Sequence, residues 1–295
     1  MLFCRADGPG QASMVESDAP APESGQIAVR FASAVIDENH LRDFQSGTFQ
    51  AAVPIAGEVL QVGPNVIGWK RGQPVVAYHS GPLAEYLILP ADRLLPRTQL
   101  FGPDAMLCPI ALALRVLRQL GELPDATAIL GAGFVGLCLV ALMQDTTPWV
   151  VGSLPTALEL SVELGASQSM ELDHQMTAEK FRDHPIELLL EASGNDTIRQ
   201  LSTRLVARGG TVLFAGPGAG LTRFDCTRLH YDQLTLQGTG PLNCDDLSLA
   251  EQRLGELPDR MLSGKHPLQR LPELFTRMQA GEGVAYLITN EGDLN

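Results

Sequence analysis

The stretch Gly131-Ala132-Gly133-Phe134-Val135-Gly136 constrains this chain more than any other. It follows the apolar run 126–130 and opens a second apolar run that reaches residue 142, with no charged residue in either. Such spacing between a strand and a helix has a mechanical meaning. Gly131 permits the tight turn, Gly133 removes a side chain where backbone must approach a pyrophosphate, and Gly136 lets helix and strand pack closely. The helix N-terminus then presents its N–H groups to the anion. The reading is a βαβ unit that binds a dinucleotide through Gly131, Gly133, Phe134, Val135 and Gly136. Residues 126–143 are also long and uncharged enough to imitate a membrane span, but the glycine cluster and the flanking turn residues favour strand, turn and buried helix.

Around this unit the texture is α/β. Short apolar runs at 126–130, 149–151, 169–172, 186–191, 211–214 and 234–237 alternate for the most part with helix-period sequence, which predicts six parallel strands in a doubly wound sheet. One intervening helix carries a start signal in Thr156 and Glu159, spaced as a capping box, and a stop signal in Gly165. Ala192-Ser193-Gly194 and Ala215-Gly216-Pro217-Gly218 follow the fourth and fifth strands at their carboxyl ends, where open parallel sheets bind ligands. Gly194 and Gly216 therefore join the cofactor candidates. The second strand runs into Gly152-Ser153-Leu154 without the Asp or Glu that holds a ribose 2′-hydroxyl in a typical NAD site. Its absence removes a repulsion against a 2′-phosphate, and Ser153 can donate to that group, so NADP is favoured over NAD.

Residues 26–95 read differently. Apolar runs at 27–32, 57–62, 74–78 and 85–89 are broken by Gly63-Pro64-Asn65 and Lys70-Arg71-Gly72, the pattern of an antiparallel β domain. Helix periodicity begins near residue 105, with Leu107, Ile110, Ala111, Leu114 and Leu117, and marks a boundary. After Gly240 come helical candidates at 247–257 and 271–279 and an apolar run at 284–288. These are assigned to the first domain, because a terminal strand can return to an earlier sheet. The expected division is 1–106, 107–240 and a returning segment 241–295, and 295 residues suit two domains.

A net charge of −13, from 21 Lys and Arg against 34 Asp and Glu, works against binding nucleic acid or anionic lipid. Cys4, Cys108, Cys138, Cys226 and Cys244 are too far apart to wrap a zinc ion in a short loop. The first residues reach Asp7 and Gly8 without an apolar signal segment, so a reducing cytoplasm is the expected compartment.

Several short motifs occur in one order along the chain. They are Ala56-Gly57-Glu58-Val59-Leu60-Gln61-Val62-Gly63, Gly72-Gln73-Pro74-Val75-Val76, Ala84-Glu85-Tyr86 with Pro90-Ala91-Asp92, and Leu107-Cys108-Pro109-Ile110-Ala111. The glycine turn, Glu163-Leu164-Gly165-Ala166 and Glu191-Ala192-Ser193-Gly194 continue the series. In this collinear set the chain resembles the medium-chain dehydrogenase/reductase superfamily, the alcohol-dehydrogenase-like and quinone-reductase-like enzymes, over nearly its whole length. The resemblance implies a GroES-like β-barrel domain joined to a Rossmann domain, nicotinamide in the cleft between them, and a homodimer formed through the sixth strand at 234–237.

Zinc-dependent members carry a Cys after their second strand, then Gly-His-Glu, and a third ligand before the glycine turn. Here Ala34-Val35-Ile36-Asp37-Glu38-Asn39-His40-Leu41 contains no Cys, residues 53–58 contain no His, and only Cys108 stands at a ligand position. One thiolate cannot hold a catalytic zinc, so the expectation is a shortened, zinc-independent member in which Cys108 behaves as a small buried residue.

Proton-handling candidates fall in residues 37–43, read as a cleft-facing loop: Asp37, Glu38, His40 and Asp43. His40 is preferred as donor because imidazole titrates near neutral pH. His79 and Tyr86 are weaker candidates, and His174, His184, His230 and His266 lie among polar residues that suggest surface. Apolar residues within 44–49 are candidates to line an open substrate mouth. The leading function is hydride transfer between NAD(P)H and a carbonyl or activated alkene of a small to medium organic substrate. His40, Asp37 and Cys108 are its catalytic candidates, without a metal. Two alternatives stand beside it: a nucleotide-binding sensor or assembly subunit without catalysis, and a zinc enzyme that uses Asp37, His40 and Cys108 as unusual ligands.

Overall fold

The computed structural model describes residues 1–143, 145–216, 221–257 and 259–290. The chain divides into two compact units: Met1–Cys108 with Asn243–Glu251 and the tail from Leu262, and Pro109–Leu242 with Gln252–Met261.

The first unit begins with a hairpin of β1 (Leu2–Gly8) and β2 (Gln11–Glu16), which the sequence reading omits. Then follow β3 (Gln26–Ile36), α1 (Glu38–Ser46), β4 (Ala52–Val62), β5 (Pro74–Ser80), β6 (Tyr86–Pro90) and the short β7 (Leu95–Pro96). β3 and β4 pair antiparallel, and β5 continues the sheet from β4. The other edge of β3 is shared, with Gln26 to Arg30 pairing β6 and Ser33 to Ile36 left for a strand from the far end of the chain. Ile27, Val29, Phe31, Ile55, Val75, Leu87 and Leu89 alternate inward along these strands and form the core.

Residues 38–46, expected as loop, form α1. Asp37 is its N-cap: the side chain accepts from the Asn39 N–H at 3.0 Å, and the Asp37 N–H donates back to His40 Nδ1 at 2.9 Å. This is a capping box with His in the place that Glu or Gln usually takes. Leu41 and Phe44 share the buried face, and Gly47 at φ +75° ends the helix.

α2 (Leu107–Leu120) leads into the second unit, where β8 (Thr127–Leu130), α3 (Phe134–Leu142), β9 (Trp149–Gly152), α4 (Pro155–Glu163) and β10 (Gln168–Glu171) follow. The chain continues through α5 (His174–Asp183), β11 (Ile186–Glu191), α6 (Asp196–Leu205), β12 (Val206–Phe214), α7 (Cys226–Tyr231) and β13 (Thr235–Gly238). The sheet order is β10-β9-β8-β11-β12-β13 with every pairing parallel, so the six-stranded doubly wound sheet is present. The chain switches sides between β8 and β11, and β13 is an edge strand. The Thr156–Glu159 capping box is not formed. The N-cap of α4 is Leu154, because Pro155 occupies the first helical position, where its fixed φ is preset and its missing N–H is harmless. Gly165, at φ +121°, does follow the end of α4.

The tail supplies α8 (Cys244–Arg253), β14 (Lys265–Pro267), α9 (Leu271–Gln279) and β15 (Tyr286–Thr289). β15 pairs antiparallel with the free half of β3. α9 turns Leu271, Leu274, Phe275 and Met278 into the first core, where Phe275 stacks on Phe44 with ring centroids 4.9 Å apart and on Phe49 at 6.0 Å. Phe44 and Phe49, candidates for a substrate mouth, are thus packing residues. Gln252–Met261 departs from the expected return: it groups with the second unit, where Arg260 donates to the Glu163 carbonyl at 3.2 Å and Met261 is fully buried. Among the described residues no helix is long and apolar enough to cross a membrane.

Candidate functional site

In the second unit the site is built at the carboxyl edge of the sheet. Gly131 sits at φ +114°, and a Cβ there would lie 2.6 Å from Ser193 N, so the glycine turn packs directly on the loop after β11. A Cβ on Gly136 would fall inside the van der Waals radius of the Gly131 carbonyl oxygen, which is the close approach of helix to turn that the motif requires. Gly133 is the N-cap of α3 and brings no side-chain cap, so no side chain of its own competes for the N–H groups of the first turn. Phe134 and Val135 are buried beneath the turn.

Behind the turns lies a polar cluster that the sequence reading did not assemble. Glu191, at the end of β11, is fully buried. Its Oε1 accepts from Ser193 N at 2.8 Å, from Gly194 N at 3.2 Å and from the Ser193 hydroxyl, and its Oε2 accepts from Arg199 Nε at 2.7 Å. The same Arg199 donates to the Gly216 carbonyl and lies over the Phe214 ring, while Gly216 N donates to the Glu191 carbonyl at 2.8 Å. One ion pair therefore fixes the loops after β11 and β12 to each other. Glu191 was visible as part of a motif, but Arg199, one helical turn into α6, carried no local signal. Gly194 and Gly216 are placed by this network, whereas Pro217 and Gly218 of the expected loop lie outside the described residues.

Ser153 is exposed immediately after β9, and Leu154 beside it is buried.

In the first unit the expected catalytic residues part company. Asp37, Glu38 and His40 are buried at the N-terminus of α1. Glu38 pairs with Arg42 at 3.1 Å, and Asp43 accepts from the N–H groups of Gln50 and Ala51 and so ties down the loop after α1. His40 Nδ1 lies 2.9 Å from both the Asp37 N–H and Asp37 Oδ1, two contacts that one protonation state cannot satisfy together. The backbone N–H can only donate, so in the neutral ring Nδ1 is the acceptor and the proton resides on Nε2. Among the described residues Nε2 is buried without a partner, and His40 lines a pocket of about 20 Å³ with Cys4, Ile36, Phe49, Val53 and Phe275. That pocket has room for about one water molecule.

Cys108 is 1% exposed, and burial pushes its thiol up to about 12, so that with no metal cation beside it the thiol is neutral. Among the described residues no three His, Cys, Asp or Glu side chains converge in a metal-holding group. Burial pulls His79 below its ordinary value, and its Nε2 lies 3.2 Å from the Pro82 carbonyl, while Tyr86 starts β6 half-buried. His174, His184 and His230 are exposed, as expected. His266 is half-buried and packs edge-on to Tyr286 at 5.4 Å.

No family model matches the chain. The L-galactonate-5-dehydrogenase of Escherichia coli strain K12 is 24% identical, with 76% of this chain and 77% of that protein covered. An alcohol dehydrogenase of Escherichia coli CFT073 complexed with NADH superposes with a TM-score of 0.67 at 16% identity, covering 98% of this chain and 99% of that one. The chain resembles the medium-chain dehydrogenase/reductases in sequence and shares their fold. A protein of Sinorhizobium meliloti 1021 bound to NADP gives a TM-score of 0.64 at 19% identity, again over 98% of this chain and 99% of that one. The Rossmann and GroES-like architecture of the superfamily corresponds here to the parallel sheet of the second unit and the β3-centred sheet of the first.

Proposed function

We propose that the chain is a zinc-independent oxidoreductase that uses a nicotinamide dinucleotide, NADP in preference to NAD, and acts on the carbonyl or activated alkene of a small organic molecule. The observation that carries this reading is the glycine turn: Gly131 seated against Ser193, and Gly133 starting α3 without a side-chain cap. The residues fit a pyrophosphate, since Gly133 at the N-cap of α3 adds no side chain and no side chain caps the first turn. Gly131, Gly133 and the first turn of α3 would hold it, Ser153 would meet the ribose substituent beside β9, and the Gly194 and Gly216 loops would receive the other half beside β11 and β12. The bound cofactor supplies the hydride. His40 is assigned to proton transfer because its Nε2–H is held out of water with no acceptor among the described residues. Dehydrogenases with NADH or NADP bound share the fold, which supports the cofactor class. Ligand counting supports the zinc-free reading, since among the described residues no three His, Cys, Asp or Glu side chains converge.

Calorimetry tests the central claim. NADPH is expected to bind more tightly than NADH, and Gly133→Asp, which sets a carboxylate against the pyrophosphate, is expected to abolish binding in a folded protein. Retained NADPH affinity in that variant overturns the cofactor site. About one zinc per chain after dialysis, lost together with activity on chelation, overturns the zinc-free chemistry alone.

A further inference from the structure

At the amino edge of the parallel sheet, the side away from the glycine turn, four arginines line one pocket of about 380 Å³: Arg182, Arg204, Arg208 and Arg228. The chain as a whole carries a net charge of −13, so this concentration of positive charge runs against its composition. Arg182, Arg204 and Arg228 stand in the last turns of α5, α6 and α7. A cation there eases the negative end of the helix dipole, which accounts for each of the three singly. It accounts neither for their convergence on one pocket nor for Arg208, which no helix carries.

Arg208 belongs to an irregularity of β12. Ile186 pairs with Val206 and Leu188 with Thr211, so residues 207–210 stand opposite Glu187 alone. Gly209, at φ +79°, takes up the extra backbone, and a Cβ on Gly210 would lie 2.5 Å from Val206 Cγ2. A bulge of this kind re-aims the side chains it carries, and bulges are common next to active sites.

Arg228 is paired, its Nε 2.7 Å from Asp232 Oδ2. Arg182, Arg204 and Arg208 are exposed, and among the described residues none of them forms an ion pair. Asp183 and Glu187, the acids of the adjoining segments, do not line the pocket. Three uncompensated positive charges are thus held around a floor of Phe181, Leu205 and Val206, each buried. Like charges gathered in this way repel one another, and a bound polyanion relieves them. Guanidinium forks match phosphate oxygens in pairs. A single phosphate monoester brings a charge of about −1.5 to −2 at neutral pH and leaves part of the site unanswered, whereas two linked phosphoryl groups answer all of it. The volume lies in the range of small-molecule sites, about 300–1,000 Å³. We propose that this pocket, built from residues that the hydride-transfer reading does not use, binds a small molecule carrying a diphosphate through Arg182, Arg204 and Arg208.

Inorganic pyrophosphate is the probe, titrated by calorimetry into the full chain carrying one equivalent of NADPH, which fills the glycine turn. Saturable binding is expected. The double variant Arg204→Met/Arg208→Met is expected to weaken pyrophosphate at least about tenfold while NADPH affinity stays unchanged. Should that variant fail to fold, Arg182→Met alone, at an exposed position, is expected to weaken it about fivefold. Gly133→Asp, in which the glycine turn is blocked, is expected to keep the parent affinity for pyrophosphate. ADP in place of pyrophosphate separates two sources of the same group: tighter ADP binding assigns the apolar floor to an organic body, equal binding assigns the site to the free anion, and either upholds the proposal. No saturable binding, equal affinity in parent and arginine variants, or loss of binding in Gly133→Asp overturns it. Sulfate binding as tightly as pyrophosphate overturns it in favour of a general anion site, and an oligoglutamate peptide binding more tightly overturns it in favour of a docking surface for an acidic protein.

Discussion

Replacing Arg199 by Met leaves Glu191 a buried carboxylate without its cation. The pair is almost closed to water, with side chains 13% and 0% exposed, and the Nε–Oε2 distance is 2.7 Å. Removing one partner of such a pair costs about 3–5 kcal/mol, chiefly the expense of the charge left behind. The lower end applies, because Oε1 keeps the N–H groups of Ser193 and Gly194 and the Ser193 hydroxyl. The Gly216 carbonyl loses its donor as well, and Met restores only part of the contact with Phe214. A loss of about 3 kcal/mol lowers the melting temperature of a domain of this size by about 6–12 °C, at about 2–4 °C per kcal/mol. Circular-dichroism melts of Arg199→Met, Glu191→Leu and the double variant measure it. The double variant is expected to lose less than the two single losses added together, since no orphan charge remains. A single variant melting within about 2 °C of the parent, or strictly additive losses, would refute the argument that this pair holds the two loops.

Other outcomes follow from the same structure. Phe275→Ala, which empties the stack between Phe44 and Phe49, is expected to cost about 3–5 kcal/mol, read from the denaturant midpoint. Iodoacetamide at mild alkaline pH is expected to label two of the five cysteines, Cys226 and Cys244, because Cys138 is buried and burial pushes the Cys4 and Cys108 thiols up to about 12; mass spectrometry counts the adducts. Since burial holds His79 below 6.5 in the folded chain, its contribution to stability is complete above the unfolded value and is lost as pH falls from about 6.5 through the lower folded value. His79→Gln, which keeps a donor for Pro82, is expected to flatten that acid limb in denaturant titrations. Gly136→Ala forces a methyl group into the Gly131 carbonyl and is expected to abolish NADPH binding at a lower melting temperature, checked by calorimetry alongside a melt.

The parallel sheet was legible because each strand is a local apolar run and each glycine of the turn answers a local steric demand. The hairpin of β1 and β2 was equally local, with Gly8-Pro9-Gly10 as its turn, but alternation in Leu2–Gly8 is blurred by Cys4 and Ala6. α1 escaped because its capping box uses His40 where the usual pattern has Glu or Gln, and because four charged residues within 37–43 resemble a solvated loop. The false box at Thr156 shows the reverse error, in which a correct spacing is overruled by the proline one position earlier. Arg199 and the pairing of β3 with β15 were beyond local reading, since they take effect only when β11 meets α6, or when β3 meets a strand from the far end of the chain.

That last pairing bears on how the polypeptide is made. Half of one edge of β3 receives its partner only when Tyr286–Thr289 leaves the ribosome, after every strand of the second unit has been synthesised. During elongation the backbone amides and carbonyls of Ser33 to Ile36 stand open beside the apolar side chains of the barrel, a template on which another nascent chain can add a strand. The second unit, whose sheet is complete at Gly238, can form while this edge is still waiting. Trouble in biogenesis is therefore concentrated in the first unit, where pausing or premature termination before Tyr286 leaves a seam open to a foreign strand unless a chaperone covers it.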